Sequence, residues 1–100
     1  MLDKMNKEIL DRVINLLEKY VNNDISANVF KNRYFRIRRF MRDSNISFPE
    51  EFENIFDQIF SDCDLYESNI KIRTQFTIDE KALLNLIKKD LSDLRKLIYH

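Results

Sequence analysis

The sequence predicts an all-α, single-domain four-helix bundle, and three observations carry that reading. The 100 residues include no glycine and one proline, whereas the tight turns of a small sheet protein need residues at positive φ. Apolar side chains recur at three- and four-residue steps in four separate stretches, the periodicity of helices with one buried face. The connections between those stretches are rich in Asn, Asp and Ser, which suits short links in a bundle. A chain of this length holds one core, so residues 1–100 are read as one domain.

The first helix is expected over about residues 3–22, where Leu2, Met5, Ile9, Val13, Leu16, Leu17 and Tyr20 form one stripe. Asn22, Asn23 and Asp24 close it, since these residues tolerate left-handed backbone. The second helix runs from about Ile25 to Arg42, capped by Ser26 or Asp24. Its stripe is Phe30, Tyr34, Ile37 and Met41, widened by Val29, Phe35 and Phe40, with arginines on the flanks. Asp43-Ser44-Asn45 is the next break.

The third helix opens at Ser47-Phe48-Pro49-Glu50, read as a capping box with Ser47 as cap and Glu50 as its reciprocal partner. Phe48, Phe52, Ile55, Phe56, Ile59 and Phe60 make its inner face. Periodicity then lapses, and residues 61–76 read as one long connection in which Ile70-Lys71-Ile72-Arg73 alternates like a short extended piece. The last helix starts from a second capping box, Thr77-Ile78-Asp79-Glu80, with Leu83, Leu84, Ile87, Leu91, Leu94 and Ile98 inward.

Catalysis finds few resources. One cysteine, Cys63, and one histidine, the terminal His100, cannot make a soft-ligand metal cluster or a nucleophile–base pair. Phosphate loops need glycine. Asp62-Cys63-Asp64 lacks the glycine and the spaced ligands of a calcium loop. The expectation is a non-enzymatic protein without cofactor or metal. The first residues mix both charge signs and no apolar run reaches spanning length, so the chain is read as cytoplasmic and without a membrane segment. An unpaired Cys63 fits a reducing compartment.

Net charge is zero, but the charges are sorted. Residues 28–43 carry Lys31, Arg33, Arg36, Arg38, Arg39 and Arg42 against Asp43 alone, a balance of +5. Residues 44–69 carry Glu50, Glu51, Glu53, Asp57, Asp62, Asp64 and Glu67 with no base, a balance of −7. The basic helix interleaves arginines with aromatics, the ingredients of nucleic-acid binding. Its aromatics fall mainly on the apolar stripe, however, and the neutral total charge opposes that use. The acidic stretch has a bland reading too, as a solvated face paired to Arg38 and Arg42. Seven acids without an interspersed base exceed what solubility needs, and such a surface steers a basic protein toward it.

Several segments in order resemble one family. An opening helix ends in Asp24-Ile25-Ser26-Ala27 with Phe30 after it. Phe52 to Phe60 then leads into Asp62-Cys63-Asp64-Leu65-Tyr66, followed by Arg73 and by Thr77-Ile78-Asp79-Glu80 with Leu83 or Leu84. Together, from about Ile9 to Leu97, these resemble the colicin D immunity protein family, which includes immunity proteins of contact-dependent growth-inhibition systems. The resemblance implies a four-helix bundle that binds a cognate toxin nuclease, typically one that cuts tRNA, and covers its basic active-site cleft with an acidic surface. Here Glu50, Glu53, Asp57, Asp62, Asp64 and Glu67 would supply the acids, with Leu65 and Tyr66 as apolar anchors. The Arg-rich second helix departs from the family's more acidic pattern. A monomer is expected in the complex, with no nucleic acid and no membrane as partner. The rival reading is a small helical nucleic-acid-binding or regulatory protein using Arg33, Arg36, Arg39 and Arg42, and a scaffold is a third.

Overall fold

The computed structural model describes residues 2–67 and 77–99. It is an all-α four-helix bundle: α1 Lys4–Val21, α2 Ala27–Asp43, α3 Glu50–Leu65 and α4 Glu80–Ile98. The most extensive packing is between α3 and α4, then between α1 and its neighbours α2 and α4, while α2 meets α3 and α4 more lightly. Among the described residues no helix is long and apolar enough to cross a membrane.

Three helices start on a side-chain cap. The carboxylates of Asp3 and Asp79 accept from the backbone N–H of Asn6 and Ala82 at 2.8 and 2.9 Å, and Ser26 accepts from Val29 at 3.2 Å. Two expected starts are corrected. Pro49, not Ser47, holds the cap position of α3, and no side chain caps it. A residue before proline is pushed out of helical backbone, so Phe48 cannot be helical and Ser47 stands too far upstream. Glu53, rather than Glu50, accepts from the Phe48 N–H at 3.1 Å. At α4 the cap is Asp79, two residues past Thr77. Ile78 is committed elsewhere: its N–H donates to Leu65 at 2.9 Å and its carbonyl accepts from Glu67 at 3.1 Å, in a parallel bridge with Tyr66.

Helix ends show how a chain without glycine turns. Asn23 and Asn45 adopt φ of 64° and 54°, the left-handed backbone usually given to glycine. After α1, Asp24 N–H reaches Lys19 O at 2.8 Å; after α2, Ile46 N–H reaches Met41 O at 2.8 Å. Both are Schellman closures, and they satisfy carbonyls that the helix ends leave without partners.

The core draws on all four helices. Val13, Leu17, Phe30, Tyr34, Phe56, Ile59, Leu83, Ile87 and Leu94 are fully buried, each burial contributing about 1.5–3 kcal/mol. Tyr20 stacks on Phe30 with centroids 4.6 Å apart, and Phe48 meets Phe56 edge-on at 5.0 Å. The buried Tyr34 hydroxyl donates to Phe56 O at 2.8 Å and ties α2 to α3. Burial drives its pKa well above the ordinary tyrosine value, so it stays a donor.

The expected stripes prove too wide. Met5, Val29, Phe40 and Phe60 are exposed, although spacing placed them inward. The α3 helix is also longer than periodicity suggested, because Asp62 and Cys63 occupy its last inward positions and interrupt the apolar pattern. The alternating Ile70–Arg73 stretch, including Arg73 of the family resemblance, lies outside the described residues.

Candidate partner-binding face

The outer side of α3 is a carboxylate ridge on a rigid support. Glu50, Asp57 and Asp64 follow at seven-residue intervals, two helical turns apart, and all three are exposed. Glu50, Glu51 and Glu53 crowd the first turn, where the positive helix end favours them. Glu53 is half-buried and lies 3.6 Å from Arg38, whose other nitrogen reaches Asp57 at 2.8 Å. Arg38 thus grips the α2 edge of the ridge. The expected pairing of Arg42 with α3 does not form, since Arg42 turns to Asp43 at 3.3 Å. Exposed pairs of this kind stabilise by about 0–1 kcal/mol.

Two expected contact residues are corrected. Asp62 is 2% exposed and points into the α3–α4 seam. Tyr66 is buried, with its carbonyl accepting from Lys31 Nζ at 3.2 Å. Neither Asp62 nor Tyr66 therefore offers its side chain to a partner. Leu65 is exposed, as an anchor must be, and Glu67 is half-buried beside it.

Phe60, expected on the inner face of α3, is an exposed ring that the sequence reading missed. It is 42% exposed and packs its ring on Phe35 of α2 at 4.8 Å. A cleft of about 430 Å³ between α2 and α3 is lined by these two rings, Asp57, Arg38, Arg39 and Arg42. A helical wheel carried the signal: Phe60 sits at the outer edge of the apolar arc, one turn beyond Asp57.

Spacing also hinted at a buried acid pair. Asp62 follows Ile59 by three residues and Asp90 follows Ile87 by three, each on the inward face of its helix. Both carboxyls are buried, and among the described residues each Oδ2 lacks a hydrogen-bond donor. Gln58 Nε2 donates to the other Asp62 oxygen at 3.0 Å. Burial, then hydrogen bonding and charge from Asp62, raise the Asp90 pKa to about 8. At neutral pH Asp90 is therefore mostly protonated, and its proton gives the pair the donor it lacks.

Cys63 does not present a reactive thiol. Its side chain is fully buried, and burial, with Asp62 adding to it, pushes the pKa up to about 12. Among the described residues no three His, Cys, Asp or Glu side chains gather in a way that would hold a metal ion.

The outer side of α3 thus combines exposed carboxylates with exposed Phe60 and Leu65, a surface suited to binding a basic protein. The model of the bacterial self-protective colicin-like immunity family matches residues 8–94. The chain belongs to that family. No curated protein matches it. An immunity protein binds and neutralises a cognate toxin, and the family is generally non-enzymatic. The match runs from α1 into the last turns of α4 and includes both the α3 ridge and the acid pair.

Proposed function

We propose that this immunity protein neutralises a nuclease toxin, one that cleaves tRNA, by laying the outer face of α3 over the toxin's basic active site. One observation carries the reading: the exposed carboxylates of Glu50, Asp57 and Asp64 form one line along α3, flanked by exposed Phe60 on one side and exposed Leu65 on the other, and α3 contains no basic residue. Carboxylates fixed on a helix stand in for RNA phosphates, and they pair with the lysines and arginines that would have held the substrate. Phe60 and Leu65 would fill apolar pockets inside that polar rim and slow dissociation. Glu53 and Glu67, both half-buried, extend the acidic field at the two ends. Inhibition of this kind needs no cofactor. We further propose that residues 1–100 act as one cytoplasmic domain, a monomer in the complex.

Calorimetry with the toxin's nuclease domain tests this. Asp57→Lys with Asp64→Lys should cost at least about 3 kcal/mol of affinity, because the lysines would face desolvated cations. Melting should hardly move, since exposed charges seldom matter by more than about 0.5 kcal/mol. The variant should also fail to stop tRNA cleavage. Affinity equal to that of the parent would remove this ridge from the interface.

A further inference from the structure

The α1/α2 side of the bundle carries a feature that the α3 face does not use. Two contiguous hollows of about 380 and 240 Å³ form one groove between these helices. Arg12 and Lys19 stand on the α1 wall, Arg33 and Arg36 on the α2 wall, and no acidic side chain lines it. All four cations are exposed, and among the described residues none has a carboxylate partner. The floor is apolar, made by Leu16 and Ile37, and Phe40 stands 50% exposed at one end.

We infer that this groove is a docking site for an acidic, amphipathic polypeptide segment, separate from the α3 face. Four unpaired cations over an apolar floor complement carboxylates flanking one or two apolar side chains. Each cation loses little water until a partner covers the groove, so the attraction acts first on encounter and weakens with salt. The length favours a short segment over a nucleic acid. From Ile9 to Lys19 the α1 wall spans eleven residues, roughly 15 Å at helical rise. Beyond one end the chain places Glu8 and Asp43, and beyond the other Asp24, all exposed acids. A polyanion running through the groove would meet carboxylates on leaving it at either end. A segment of about two and a half helical turns would stop short of them.

Fluorescence anisotropy on the whole protein tests this with a labelled helical peptide of about 9 residues, carrying Glu on its flanks and Leu along one face. The peptide should bind at about 50 mM salt and weaken as salt rises. A version with Gln for Glu should bind at least tenfold more weakly. Arg12→Gln with Arg33→Gln and Arg36→Gln should cost at least tenfold. The charge-matched control, Lys81→Gln with Lys88→Gln and Lys96→Gln on α4, should change affinity less than twofold. Phe40→Ala, at an exposed position that leaves the fold intact, should weaken binding severalfold. Four outcomes overturn the inference: no binding of the acidic peptide, equal loss in the groove and control variants, tighter binding of tRNA than of peptide, or self-association of the protein that the groove substitutions abolish. Failure of the toxin test at Asp57 and Asp64 leaves this result unaffected, because the two surfaces share no residue.

Discussion

Asp57 and Asp62 lie five residues apart on α3, and their carboxyls live in different media. The Asp57 side chain is 68% exposed, and water shares it with the Arg38 guanidinium at 2.8 Å. Asp62 is 2% exposed, with Gln58 on one oxygen and the buried Asp90 carboxyl as its neighbour across the α3–α4 seam. Phenylalanines on the same helix divide in the same way: Phe56 is fully buried, whereas Phe60 is 42% exposed. Residue type therefore does not decide between holding the fold and meeting a partner. Position does: five residues turn Asp62 about 140° around the helix from Asp57, whereas Phe60, only about 40° on from Phe56, lies at the edge of the arc that the neighbouring helices cover.

The largest expected effect that would sharpen this contrast is on the aromatics. Phe56→Ala should cost about 3–5 kcal/mol through the cavity it leaves, enough to unfold much of a domain this small. Phe60→Ala should cost less than about 1 kcal/mol of stability. Urea melts of both variants check it, and similar midpoints would erase the distinction between the two faces.

Next comes the acid pair. Asp90 keeps its proton up to about pH 8 when folded and releases it near the ordinary aspartate value of 3.8 when unfolded. Between those values the folded state binds the extra proton, so this contribution to stability is complete below pH 4 and is lost as pH rises through 8. Melting temperature should therefore drop between pH 5 and pH 9, by several degrees for each kcal/mol lost. Asp90→Asn, which still offers Asp62 a donor, should flatten the slope and melt above the parent at pH 9. Parallel pH profiles for the two proteins would show that the seam does not titrate.

A smaller effect belongs to Arg38, which joins the two regions. Its guanidinium lies over the Phe56 ring at 5.6 Å while it holds Glu53 and Asp57. Arg38→Ala should cost about 1 kcal/mol, more than an exposed pair alone, because packing is lost with the charge. Smallest of all is Asp57→Asn, expected within about 0.5 kcal/mol in thermal melts. A larger loss there would mean that the ridge is built for stability rather than for binding.

Four helices, their order and most of their inward residues were legible in the sequence, because Ile9–Tyr20 and Leu83–Leu94 each repeat an apolar residue at helical spacing. Turn chemistry was legible too, since Asn23 and Asn45 are among the few residue types that adopt positive φ in a chain lacking glycine. The family membership and the exposed acids Glu50 and Asp57 could also be read from residue order, whereas Asp64 was expected in the connection past α3 and joins them only because the helix runs on to Leu65. Where each apolar arc ends could not. Phe60 and Phe40 lie at the edges of their stripes, and only the placement of neighbouring helices decides whether such an edge is covered. The same holds for Asp62, whose inward position shows in its spacing while its partner Asp90 is 28 residues further along the chain. Local pattern fixes the direction in which a side chain leaves its own helix; what stands opposite, be it water, an arginine or a second carboxyl, is set by contacts between segments distant in sequence.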